Sequence, residues 1–139
     1  AALLRSQFGK LGLELADGKL EWALDERGRC FLVDAIGPDE LRILKDGVQL
    51  SKEFLRGHYR ETPWYEAIQK AKTQAQAQGV ADWKRLTATP PGALPEEHRE
   101  LATQVYLSLA NAVSGKDWFP EAWPLSRVIE RLLAVRGAS

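Results

Sequence analysis

The sequence predicts an α+β fold: a small antiparallel sheet over about residues 11–50, then about four helices over about 51–137. The same order suits one lobe of a larger α/β fold. Three observations predict it. The runs that alternate polar and apolar or join consecutive apolar residues as strands do fall in the first third of the chain. Turn residues interrupt that third at short intervals. Beyond Ser51 the apolar residues recur at helical spacing.

The chain opens with "AALLRSQFGKLGLEL", where Leu3, Leu4 and Phe8 mark the tail of a helix running into a strand. With no Met anywhere, this start reads like the interior of a longer protein. Lys19 to Leu24 alternates polar and apolar residues, and Cys30 to Ile36 is apolar with one charge, which predicts a hairpin. "DERG" (Asp25 to Gly28) supplies its turn, with Gly28 suited to positive φ. "GPDE" breaks the second strand, and "KDG" at Lys45 to Gly47 makes another turn.

A helix is expected from a capping Ser51, with Phe54, Leu55 and His58 or Tyr59 at helical spacing. Pro63 opens the next, carrying Trp64, Ala67, Ile68 and Ala71 on one face and closed by Gly79. "TATPPGALP" is too rich in proline to be helical. Pro95 with Glu96 and Glu97 suits a further helix N-terminus, and Leu101, Val105, Leu109 and Val113 form its buried stripe. A last helix presents Leu125, Val128, Ile129 and Leu132, with Gly137 past its end.

At 139 residues the chain is of ordinary domain size, and it is 45% hydrophobic and 27% charged, a globular composition. Its 19 Lys and Arg balance 19 Asp and Glu, which argues against nucleic acid or a membrane surface as partner. One cysteine cannot form an internal disulfide, and no bilayer-length apolar run or cleavable leader is seen, so the cytoplasm is expected. Cys30 reads as inert core, the five Trp residues as packing, and His58 and His98 as ordinary helix residues without a ligand partner.

The charges of the hairpin need a separate explanation. Residues two apart on a strand share a face, so Asp17, Lys19 and Glu21 line one side. With an even turn at Asp25 to Gly28, Lys19 falls opposite Asp34 and Glu21 lies diagonal to it. Two carboxylates beside a lysine suit Mg²⁺, which takes oxygen ligands and completes its shell with phosphate and water. On the pattern alone, a solvated face with cross-strand ion pairs is the stronger reading. Arg42 and Arg56 have the planar fork that holds carboxylate or phosphate. Lys52 near a helix start runs against the dipole, which hints at an anion there.

"DGKLEWALDERGRCFLVDAIGPDELR" resembles the C-terminal half of SAICAR synthetase, an ATP-dependent ligase family of purine biosynthesis. Asp17, Lys19, Glu21, Trp22 and Ala23 match its Asp-x-Lys-x-Glu-Phe-Gly strand. Asp34, Gly37, Pro38, Asp39 and Arg42 match its Asp-Glu and Pro-Asp-Ser-Ser-Arg loop. "SKEFLR" matches its Asp-Lys-x-x-(Phe/Val)-Arg helix start, with Lys52 and Arg56 in register. Three sites depart from the pattern: Ala35 for Glu, Glu40–Leu41 for Ser-Ser, and Ala23 for Gly.

The resemblance implies an ATP-grasp-like C-terminal lobe whose N-terminal, nucleotide-covering lobe is absent from this chain. It implies ATP as co-substrate and Mg²⁺ as cofactor, with CAIR (the carboxylated aminoimidazole ribotide) and L-aspartate as the other substrates. Glu21 and Asp34 would hold the metal and Lys19 would act in catalysis. Asp17, Asp39, Arg42, Lys52 and Arg56 would bind substrate. A homo-oligomer is compatible with it. Two rivals stand beside it: a nucleotide- or ribotide-binding paralogue or fragment without activity, and a helical protein-interaction domain.

Overall fold

Two neighbouring ladders, not one, take up the strand region. In the computed structural model, which describes residues 2–87 and 89–137, helix α1 (Ala2–Lys10) leads into β1 (Glu14–Gly18). The strand β1 pairs antiparallel with β4 (Leu41–Lys45), which pairs in turn with β5 (Val48–Gln49). Between β1 and β4 the chain makes a separate hairpin of β2 (Trp22–Leu24) and β3 (Cys30–Leu32). The turn from β4 to β5 is the expected one at Lys45 to Gly47, with Asp46 and Gly47 both at positive φ (52° and 77°). That left-handed pair is what a two-residue hairpin connection requires.

Five helical pieces follow among the described residues. They are α2 (Glu53–Arg60), α3 (Pro63–Gln78), a 3₁₀ turn at Trp83–Leu86, α4 (Glu96–Ser114) and α5 (Leu125–Gly137). Pro63 opens α3, and Gly79 closes it in the left-handed conformation, φ 65°. Pro95 stands at the N-cap of α4, with Glu96 and Glu97 in its first turn, as expected. The 3₁₀ turn has no hydrophobic period to announce it; Asp82 caps it by accepting the Lys84 N–H at 3.2 Å.

The core lies where α1, α4 and α5 cover the three-stranded sheet. Leu15, Leu41 and Ile43 from the sheet meet Leu101, Val105 and Leu109 from α4 and Val128 and Leu132 from α5. Leu50, fully buried after β5, is worth roughly 1.5–3 kcal/mol by its removal from water. Val113, expected in the stripe, is 53% exposed and lines an open apolar cavity instead. Cys30 is exposed as well: the β2–β3 hairpin stands clear of the core, with Trp22 and Leu24 59% and 70% exposed. No helix among the described residues is long and apolar enough to cross a membrane.

The hairpin register also differs from the expected one. Trp22 pairs with Leu32, Ala23 with Phe31 and Leu24 with Cys30, which leaves an odd, three-residue turn at Glu26, Arg27 and Gly28. Asp25 sets it: its Oδ1 accepts the Arg27 and Arg29 N–H groups at 3.0 and 2.8 Å, and Gly28 takes φ 74°. This is the three-residue hairpin closed by a left-handed glycine. One residue of slip moves every later side chain to the opposite face. Lys19 therefore does not face Asp34; its N–H donates to the Glu40 carbonyl at 2.8 Å, while Val33 N–H donates to Glu21 at 3.0 Å. The chain changes partner between Lys19 and Glu21, passing from the first ladder to the second.

Candidate functional site

The end of β1, the start of β4 and the start of α2 meet around an open cavity of about 310 Å³. A bulge builds one wall. The β1–β4 register shifts between Leu15 and Asp17, so that Asp17 stands opposite Arg42. Their side chains pair at 3.1 Å, Asp17 Oδ2 to Arg42 Nη1. Gly18 comes next because β4 leaves no room for a side chain. A Cβ there would lie 2.5 Å from Leu41 Cδ2 and 3.1 Å from the Glu40 carbonyl oxygen.

The loop before β4 forms the second wall, folded back by Glu40 and Leu41 N–H groups that both donate to the Gly37 carbonyl, at 3.1 and 3.0 Å. Helix α2 forms the third. Ser51 does act at its start, as its Oγ accepts the Glu53 N–H at 3.4 Å, although the N-cap position itself is Lys52.

Six of the eight residues nominated from the sequence line this cavity: Asp17, Lys19, Asp39, Arg42, Lys52 and Arg56. The other two, Glu21 and Asp34, do not line it. Glu21 hydrogen-bonds and ion-pairs with Lys19 at the rim. Asp34 acts at longer range. The Lys19 ammonium is held above its ordinary pKa first by the Glu21 hydrogen bond and charge, with smaller contributions from the charges of Glu40 and Asp34. Asp34 Oδ1 itself accepts the Ala35 N–H at 2.8 Å. Among the described residues no group of three or more His, Cys, Asp or Glu is placed to hold a metal ion.

Four cations and four carboxylates line the cavity, and most are mutually paired. Besides Asp17 with Arg42, Lys52 Nζ lies 3.8 Å from Glu40, and Arg56 is bonded to Glu53. Such exposed pairs contribute about 0–1 kcal/mol each. They hold the cationic groups in position at little cost to exchange, so an incoming carboxylate or phosphate can replace the internal partner. Arg42 and Arg56 offer paired donors for such an anion.

Sequence reasoning missed Glu40, Glu53 and Tyr106. Glu40 stands in place of the family's serine pair, yet it serves the cavity by holding Lys52, while Leu41 turns into the core. The Tyr106 hydroxyl donates to Asp39 Oδ1 at 2.5 Å across 67 residues of chain, a contact that no local pattern announces.

A second cavity, about 320 Å³, lies on the other side of α2 and contains His58 and His98, ring centroids 4.4 Å apart. Burial, and then the charge of His58, push His98 below the ordinary histidine pKa. Its Nδ1 is buried without a hydrogen-bond partner. None of the nominated residues lines this cavity.

Comparison with known proteins points to one family. The model of the SAICAR synthetase family matches residues 2–72, which contain every residue of the candidate cavity. A protein of Archaeoglobus fulgidus, provisionally named phosphoribosylaminoimidazole-succinocarboxamide synthase, is 37% identical over 134 residues. That match covers 96% of this chain and 38% of the relative. The enzyme of that name from Thermoplasma acidophilum is 28% identical over 124 residues, 84% of this chain and 39% of the relative. The solved SAICAR synthase of Saccharomyces cerevisiae, complexed with SAICAR, matches at TM-score 0.54 and 18% identity. That alignment covers 84% of this chain and 35% of the yeast one, and shows the likeness of fold. The chain thus spans less than two fifths of the length of these relatives.

Proposed function

The chain belongs to the SAICAR synthetase family, and from that premise we propose that it is the C-terminal, ATP-grasp-like part of an ATP-dependent carboxylate–amine ligase. The reaction is the joining of CAIR and L-aspartate. The γ-phosphoryl group of ATP passes to the CAIR carboxylate, because a free carboxylate is a poor acyl donor. The aspartate amine then attacks the acyl carbon, phosphate leaves, and the amine proton is lost; the products are SAICAR, ADP and phosphate. The observation that carries this reading is the gathering of Asp17, Lys19, Asp39, Arg42, Lys52 and Arg56 around one cavity.

In this reading Arg42 and Arg56 hold the carboxylate and phosphate groups of the ribotide or aspartate, releasing Asp17 and Glu53 as they do so. Asp17 and Asp39 accept hydrogen bonds from substrate, and Lys52 neutralises a further anionic group. Lys19, kept protonated by Glu21, steadies the oxygens of the transferring phosphoryl group. For Mg²⁺ the same reading keeps Glu21 and Asp34 as candidate oxygen donors, although the hairpin register does not bring the two face to face; this ion commonly takes only one or two carboxylates, adding phosphate and water. When bound it would neutralise phosphate charge.

The short span of the chain supports an N-terminal lobe supplied by further polypeptide. So does the hairpin, whose Trp22, Leu24, Phe31 and Val33 are exposed as if awaiting a cover. The isolated chain would then have little ligase activity. The same facts favour a second reading, in which the chain binds ribotide without catalysing.

Turnover in a reconstituted two-part enzyme tests the first reading. Asp34→Asn should cut it by about a thousandfold, since loss of a metal ligand removes several kcal/mol of transition-state stabilisation. Near-wild-type turnover would sink the assignment.

A further inference from the structure

Asp39 differs from the other carboxylates of the cavity in what holds it. Asp17, Glu40 and Glu53 are held by cations. Asp39 is held by a neutral phenol, the Tyr106 hydroxyl, which donates to Oδ1 at 2.5 Å. Tyr106 comes from the middle of α4, the helix fixed in the core by Val105 and Leu109 on either side of it. Its ring lines an apolar cavity of about 430 Å³ together with Phe8, Ile36, Pro38 and Phe119. Pro38 also lines the candidate site, so the loop from Gly37 to Glu40 is a thin wall between the two cavities.

We propose that Tyr106 is a positioning residue, whose hydroxyl ties this wall to α4 and fixes the Asp39 carboxylate at the cavity rim. The tie occupies one oxygen and adds no positive charge. Oδ2 is therefore left to a hydrogen-bond donor on the ligand, such as a hydroxyl or an ammonium group. A cationic partner would have weakened that acceptor. The Tyr106 hydroxyl is a donor in the neutral range as any phenol is, and burial, and then the bond to Asp39, push its pKa further up, to about 12. The assignment of the ligand as a ribotide or amino acid rests on the proposed function; the tie itself does not.

Two measurements on the chain separate these claims. Amide hydrogen exchange reads the wall directly at Lys19, Glu40 and Leu41, whose N–H groups bond within it or to it. Tyr106→Phe should speed exchange at these amides by about three- to tenfold while leaving Val105 and Ile43 unchanged. Unchanged exchange at the wall would overturn the proposal.

Calorimetric titration with SAICAR reads the consequence. Tyr106→Phe should weaken binding by about three- to tenfold, and should have no further effect in an Asp39→Ala background, where no side-chain oxygen is left to accept the hydroxyl. Additive losses would also overturn the proposal, since Tyr106 would then act independently of Asp39. If the wild-type chain binds no SAICAR but the wall responds as predicted, the tie is upheld and the ribotide reading falls.

Discussion

At Arg42 one side chain separates a structural from a binding role. Its pair with Asp17 is about half exposed on both sides, so it contributes little to stability. Its planar fork is what a carboxylate or phosphate requires, and lysine keeps the charge but loses that geometry. On the proposed function, Arg42→Lys in the reconstituted two-part enzyme should therefore raise the KM for CAIR or aspartate by one to two decades, equivalent to about 1.5–3 kcal/mol. The KM for ATP and the melting temperature should barely move. Steady-state kinetics with each substrate varied in turn, beside a melting curve, checks this. A change in melting temperature alone would make Arg42 scaffold.

The elements differ in how far the sequence reveals them. Helices α3 and α4 are legible because their signals are local: Pro63 and Gly79 bound one, and Leu101, Val105 and Leu109 stripe the other. The sheet is less legible because its partners are remote and its register turns on single residues. Nothing near Ala16 announces the bulge that brings Asp17 to Arg42, and "DERG" serves an even or an odd turn equally well until Asp25 has chosen its bonds. Six residues that line the cavity were therefore readable through motif order, while Glu40, Glu53 and the facing pairs were not. The close approach of β1 to β4 makes a prediction at this scale. In Gly18→Ala the new Cβ would meet the core side chain of Leu41 and the backbone of Glu40, and neither can move freely. About 1–3 kcal/mol of stability should be lost, seen as a lower urea midpoint. An unchanged midpoint would mean that the strands separate more easily than their packing implies.

The whole molecule consists of a helix-covered sheet with a charged cavity at one edge and an exposed hairpin beside it. A two-stranded hairpin is marginal on its own in water, and here it begins where the chain leaves the cavity wall at Lys19 to Glu21. Site and hairpin are thus built from successive strands, β1 and β2, joined by the short segment in which the chain changes partner, and anything that covers the hairpin acts next to the site. On the proposed function the ligand binds in the cavity between the β1–β4 edge and α2. Titrating the ¹⁵N-labelled chain with SAICAR and following its amide resonances checks this. Shifts should cluster at Gly18, Lys19, Asp39, Arg42, Lys52 and Arg56 and leave helix α3 still. Shifts confined to Gln49, His58 and His98, or none up to saturating ligand, would contradict it.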